Sequence, residues 1–326
     1  MMIDNIRRGL AAVLLGTLAL ATASHAQSYP DRAIRTIVPF APGGNADVTA
    51  RLVSKAMSEK LGQPFVVENK GGAGGLIGGT VVAKAEPDGY TVMFGTGAPI
   101  FASSVLAGES APYALKDLQP IGRASIVPLI LAVNVNSPYR TFEEFAKAAK
   151  AAPGSIKFGH AGNATTNHVS VLQLQKALDT NFIVVPYKGS SLAVQDVLGQ
   201  QTDITSAEAT ACMQFVLSGR LRALAIVGDR RLAALPDVPT VGELGLKGVD
   251  VTTFSGMLVP KNTPQPVVDR LAQAMAQAME EPEVRGRLEQ LGATPAPQMP
   301  AEFARFLAGE EAKYTQLVQE GLLRAE

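Results

Sequence analysis

Apolar residues fall in short β-rich runs that alternate with stretches of helical spacing. The runs over 34–40, 65–68, 90–95, 129–134, 156–160, 182–187, 222–227 and 251–259 read as strands. Between them lie helical patterns, as at 47–61, where Val48, Leu52, Ala56 and Met57 share one face and Arg51, Lys55 and Glu59 the other. Gly62 stops that helix, because glycine takes the left-handed conformation after a helix without steric cost. Further helices are predicted over 169–178 and 192–198, and, each started near a proline, over 265–279, 282–291 and 301–323. This alternation predicts an α/β fold with parallel sheets.

The first residues change the picture of where that fold works. Arg7-Arg8, an apolar run over 10–23 and the small-residue end Ser24-His25-Ala26 form the three parts of a secretory signal peptide, with cleavage after Ala26 and export to an oxidising compartment. The run of 14 residues is too short for a bilayer span, which needs about 20. Removing Arg7, Arg8 and Asp4 from 29 basic and 29 acidic residues leaves 27 and 28, a net charge of −1. A near-neutral chain with no basic block has no electrostatic footprint for nucleic acid. Cys212 is the only cysteine, so no intrachain disulfide can form, and the fold must stand on its core. With 47% hydrophobic residues over 326, that core is easily built, and the mature length suggests two domains.

Candidate chemistry gathers where strands give way to helices. Pro39-Phe40-Ala41-Pro42-Gly43-Gly44-Asn45-Ala46-Asp47 joins an apolar strand to a helix through a turn whose glycines let backbone approach a ligand closely. The first helical N–H groups lack intrahelical partners, which makes the turn an anion site. No lysine or arginine lies in it, so an anion there is held by amide dipoles, hydroxyls and side-chain amides. Asp47 orders the turn, since its charge would repel an anion. Two more helices open in the same manner, one after Ala161-Gly162-Asn163-Ala164-Thr165-Thr166-Asn167-His168 and one after Pro186-Tyr187-Lys188-Gly189-Ser190-Ser191. Gly95-Thr96-Gly97 ends another strand in the same half as the first turn. Several such turns suggest a site between two sheets.

Other signatures fail. Gly71-Gly72-Ala73-Gly74-Gly75-Leu76-Ile77-Gly78-Gly79 lacks the dinucleotide spacing because residue 77 is Ile, so close packing or a rim loop accounts for it better, and no cofactor is expected. His160 and His168, eight residues apart with no cysteine partner, are poor metal ligands, so no metal is expected either. No catalytic serine motif is present. Asp203 and Glu208 flank the short run 204–207, which brings the chain back to the cleft. The pair could serve acid/base work, or else form a solvated edge or hydrogen-bond loop amides.

Taken together, the motifs resemble the Bug-type (TctC-like) receptors of the tripartite tricarboxylate transporter system. The carriers are Val38-Pro39-Phe40-Ala41-Pro42-Gly43-Gly44 with Asp47, Val67-Glu68-Asn69-Lys70-Gly71-Gly72-Ala73-Gly74-Gly75, Ala85-Glu86-Pro87-Asp88-Gly89-Tyr90-Thr91, Val185-Pro186-Tyr187-Lys188-Gly189-Ser190 and Leu235-Pro236-Asp237-Val238-Pro239-Thr240, in the same order. The resemblance implies a two-domain periplasmic-binding-protein fold of type II, a Venus flytrap with its ligand cleft between the domains. Residues 27–128 with 253–326 would form one domain and 129–252 the other. It implies a monomer that binds a small carboxylate (a dicarboxylate, tricarboxylate, amino acid or aromatic acid) and delivers it to inner-membrane permease subunits, or presents it to a sensor kinase. By resemblance the ligand would be held by Gly43, Gly44, Asn45, Asp47, Gly95, Thr96, Gly97, Ala161, Gly162, Asn163, Thr165, Thr166, Asn167 and His168, with Asp203 at a recurrent acidic position; the residues themselves add Lys188, Gly189 and Ser190 of the third turn, and Glu208. The rival is an exported hydrolase or lyase using His168, Asp203 or Glu208.

The chain departs from the family pattern at Ser206-Ala207-Glu208-Ala209-Thr210 and Phe254-Ser255-Gly256. If Glu208 faces the ligand ionised, it repels a second carboxylate and favours an ammonium, amide or hydroxyl.

Overall fold

Every residue of the strand Ile34–Val38 (β1) except Arg35 is buried, so the element reads as a central strand covered on both faces. Arg35 reaches sideways to Glu68 of the next strand at 2.8 Å. The computed structural model describes residues 29–251 and 253–324; the predicted leader lies outside the described residues.

After β1 come α1 (Asn45–Leu61), β2 (Phe65–Asn69), α2 (Leu76–Ala83), β3 (Thr91–Gly95), α3 (Ser103–Ala107), β4 (Leu118–Val127), β5 (Leu129–Asn134), α4 (Phe142–Ala151), β6 (Lys157–His160) and α5 (Thr166–Leu178). The chain continues through β7 (Ile183–Pro186), α6 (Ser190–Leu198), β8 (Ile204–Glu208), α7 (Ala209–Leu217), β9 (Leu221–Val227), β10 (Thr253–Pro260), α8 (Gln265–Glu280), α9 (Pro282–Gln290), β11 (Thr294–Gln298) and α10 (Pro300–Gln319). The strands form two sheets, ordered β11-β4-β10-β3-β1-β2 and β7-β6-β8-β5-β9. The α/β expectation holds, but the sheets are mixed, not parallel. β10 runs antiparallel to both β3 and β4, and β5 antiparallel to both β8 and β9.

The chain passes between the sheets twice, at Pro128 and across 228–252. Proline at the first crossing offers no N–H to either ladder, which suits a residue that ends one strand and starts another. β11 carries Pro295 and Pro297 and lies at a sheet edge, where a missing donor faces no neighbour.

α1 buries Ala46, Ala50, Val53, Met57 and Leu61 and packs against α8. Its apolar face is therefore rotated from the predicted one, and Val48 and Leu52 are only half-buried. The helix ends at Gly62, with φ of 69° and its N–H on the Ser58 carbonyl. α2 lies close on the end of β1 because Gly78 has no side chain, and a Cβ there would meet Pro39 Cα at 2.8 Å. Gly71 to Gly79 thus serve packing.

Candidate functional site

Four helix starts converge on one small cavity between the two sheets. The cavity is lined by Phe40, Gly44, Asn45, Ala46 and Thr96 from the first sheet, and by Ala161, Thr165, Asn167, Ser190 and Glu208 from the second. Gly44, Thr165, Ser190 and Glu208 among them open α1, α5, α6 and α7, so the first turns of four helices, whose leading N–H groups lack intrahelical acceptors, border the same volume. The space measures about 10 Å³, close to that of one water molecule.

Each start is fixed by its own side chains. Asp47 accepts from Gly43 N–H at 2.9 Å and from Asn69 Nδ2 at 2.9 Å, and pairs with Arg51. Burial pushes its carboxyl up, but Arg51, the Gly43 amide and Asn69 together hold it below the usual range. Thr165 caps α5, its Oγ1 accepting from His168 N–H. Asn45 donates to Ser255 Oγ at 3.1 Å and accepts from Thr210 Oγ1 at 3.1 Å. Ala41 N–H donates to the Lys188 carbonyl at 2.9 Å, and Ser191 Oγ donates to the Pro42 carbonyl at 2.8 Å. The two sides of the cavity are therefore bonded to one another around its rim.

Glu208 is the first residue before α7 and is buried. Burial raises its carboxyl above the ordinary range, against the pull of Ser190, its own amide and Asn167. Its Oε2 and the Asn167 Oδ1 have no protein partner.

Not every predicted residue reaches this cavity. Asp203 is exposed at the opposite end of β8, where its carboxylate accepts from Lys157 N–H at 2.7 Å, so it and Glu208 are held apart by the length of the strand. Lys188 is exposed and contributes its carbonyl to the rim. His168 stacks on His160 with ring centroids 4.5 Å apart, one turn beyond the cap. Thr166 instead bonds Thr253 Oγ1. Gly95 pairs with Gly256 in the sheet, and Gly97 lies against Phe101 and Phe254, leaving Thr96 alone of that turn on the cavity. Gly43, Gly162, Asn163 and Gly189 shape the loops behind the lining; Asn163 carries its carbonyl to within 2.5 Å of where a Gly74 Cβ would stand. Thr210 and Ser255, which bond Asn45 together with Thr49, were not predicted as site residues, although both lie in the two segments that depart from the family pattern. Phe40 and Ala46 lay within the predicted turn.

A larger cavity of about 600 Å³ lies where the chain crosses between the sheets, lined by Pro128, Gly228, Val251, Phe254, Phe306 and Tyr314 among others. Size would favour it, but among the predicted residues only Thr166 lines it, and the helix starts point elsewhere. The smaller cavity is the candidate site. Among the described residues no group of three or more His, Cys, Asp or Glu could hold a metal ion, and no helix is long and apolar enough to cross a membrane.

Residues 49–323 match the model of the tripartite tricarboxylate transporter family receptor, TctC. The chain belongs to this family. The "UPF0065 protein in tcbD-tcbE intergenic region" of Pseudomonas sp. strain P51 is 35% identical over 322 residues, 98% of this chain and 95% of the relative. Among solved structures, the periplasmic binding protein BugD is 33% identical with a TM-score of 0.86, over 91% of this chain and 100% of the other. MatC of Rhodopseudomonas palustris, solved with bound malate, is 31% identical with a TM-score of 0.83, over 89% of this chain and 100% of MatC. The TctC-family receptor thus has the fold of a periplasmic binding protein of the Bug type, with its candidate cavity between two mixed sheets.

Proposed function

We propose that this TctC-family receptor captures a small organic carboxylate between its two sheets in the periplasm and hands it to the permease subunits of a tripartite tricarboxylate transporter. The observation that carries the reading is the convergence of the α1, α5 and α6 starts on one cavity whose lining has no lysine or arginine. A carboxylate facing such N–H groups gains ~0.3–2 kcal/mol from each helix end. Further hydrogen bonds must supply the rest of a micromolar affinity, about −8 kcal/mol. MatC, a relative across nearly its whole length, was solved with malate, which fits this chemistry.

A malate-sized acid needs far more than 10 Å³, so the arrangement described is a closed one and entry requires the sheets to part. We assign residues 27–128 with 253–326 to one jaw and 129–252 to the other, hinged at Pro128 and 228–252. A ligand shifts such an equilibrium only by its differential affinity for the closed state. Bonds that span the jaws, such as Thr210 to Asn45, are where that difference is set.

The receptor reading requires that the ligand leave unchanged. Thermal-shift measurements on the mature chain with aliphatic di- and tricarboxylates, amino acids, nicotinate-type acids and benzene carboxylates should return at least one stabilising acid, since binding to the native state stabilises by mass action. Recovery of that acid intact after long incubation supports a receptor. Its conversion to product would replace this reading with that of an exported hydrolase or lyase.

A further inference from the structure

We infer that Glu208 and Asn167 form a subsite for a ligand nitrogen bearing at least two N–H groups, so that the acid carried is an amino acid or a carboxamide in preference to a dicarboxylate. This rests on the receptor reading above and narrows its ligand.

The geometry supplies two acceptors and takes away the alternatives. Asn167 Nδ2 donates to the Ser206 carbonyl at 2.9 Å, which fixes the amide orientation and leaves Oδ1 as the free end. Ser190 and Asn167 hydrogen-bond the Glu208 carboxyl, yet its Oε2 has no protein partner, and in the ionised form it accepts. Both side chains line the candidate cavity and are at most 5% exposed, so bulk water does not serve them. A buried acceptor left unmatched costs about 1–3 kcal/mol, so a ligand that brings donors recovers affinity at each. No lysine or arginine lines the cavity to do so in the ligand's place.

Ligand groups differ in how many donors they bring. A carboxylate offers none, a hydroxyl offers one, a primary carboxamide two and an ammonium three. Two unmatched acceptors on one cavity therefore select nitrogen. A ligand dicarboxylate would set a second carboxylate against Glu208, and one of the two would have to hold a proton. The other end of the ligand keeps its carboxylate for the helix starts, which Gly44 and Ala46 border without polar side chains.

The experiment is calorimetric titration of the mature protein with matched sets: 3-aminopropanoate, succinamate, succinate and propanoate, and the same four groups on chains one carbon longer. The expected result is that an amino or amide member binds at least tenfold tighter than the dicarboxylate of its set. Glu208→Gln should erase the preference for ammonium over carboxylate while retaining amide binding, and Asn167→Leu should weaken the amide and ammonium members alike. If a dicarboxylate binds as well as the nitrogen members, or if the order of binding is the same in Glu208→Gln, the subsite is wrong and the carboxylate receptor stands. If no carboxylate of any kind binds the wild-type chain, both fall. Circular dichroism of each variant separates lost recognition from lost fold, and the wild-type ranking alone decides the matter should a variant not fold.

Discussion

Thr210 Oγ1 donates to Asn45 Oδ1 at 3.1 Å, tying the first turn of α7 to the first turn of α1 across the two sheets. On the proposed opening and closing of the two sheets, the bond exists only when they are together. Thr210→Val keeps the shape and removes the donor. Affinity for a stabilising acid should fall about 3- to 10-fold, the worth of one hydrogen bond, measured by calorimetry. An unchanged affinity would mean that closure does not depend on this tie.

Ionic strength should matter little. The lining holds amides, hydroxyls and one buried carboxyl, and no lysine or arginine. Exposed ion pairs weaken as the screening length shrinks from about 10 Å at 0.1 M salt to about 3 Å at 1 M, whereas enclosed dipoles are screened far less. Binding constants measured from 0.05 to 0.5 M salt should stay within about twofold. A tenfold loss would show that a cation has been overlooked.

Gly74 is a place where one methyl group should hold the jaws apart. A Cβ there would come to 2.5 Å from the Asn163 carbonyl on the other sheet and 2.6 Å from Ser103 Oγ on its own. Its φ of 60° adds a left-handed strain of about 1–2 kcal/mol for alanine. Gly74→Ala should cut affinity at least tenfold and enlarge the radius of gyration in small-angle scattering.

The stacked histidines give a pH dependence of known sign. Burial, then the neighbouring His168, pushes the His160 imidazole down to about 3, so the folded protein keeps it neutral where an unfolded chain takes up a proton near 6.5. Between those values the unfolded state binds more protons, so stability is full above about pH 6.5 and declines toward pH 3. The loss is on the order of 4 kcal/mol. Urea midpoints at pH 7, 5 and 4 should fall less steeply in His160→Asn than in the wild type. Parallel slopes would refute the assignment.

Much of this site could be read from residues alone because its turns combine small residues with unpaired helix starts, a local signal. Gly44, Asn45, Thr165, Asn167, Ser190 and Glu208 stand at such junctions, and all line the cavity. Asp203 stands outside the cavity because β8, although short in sequence, is extended and puts it and Glu208 at opposite ends. Lys188 lies in the right turn, yet points its backbone and not its charge at the neighbouring loop. Strands β4, β8 and β11 escaped detection because Pro120, Gly122, Arg123, Thr205, Ser206, Pro295 and Pro297 break the apolar pattern, and the place of β4 comes from pairing with distant β10 and β11. The antiparallel course of β10 and β5 is likewise set by partners far along the chain, which no local window contains.

The place of β10 has a consequence for how the molecule is made. The strand enters the first sheet between β3 and β4, so β3, buried along its whole length in the finished fold, waits for residue 260 before its second edge is covered. At about 5–20 residues per second, synthesis leaves that edge open for roughly ten seconds or more, while β5 to β9 follow one another without interruption. An open hydrophobic edge invites pairing with the wrong chain. A polypeptide threaded this way does best if it is kept unfolded until its last strands arrive, which favours folding after release over folding as it emerges.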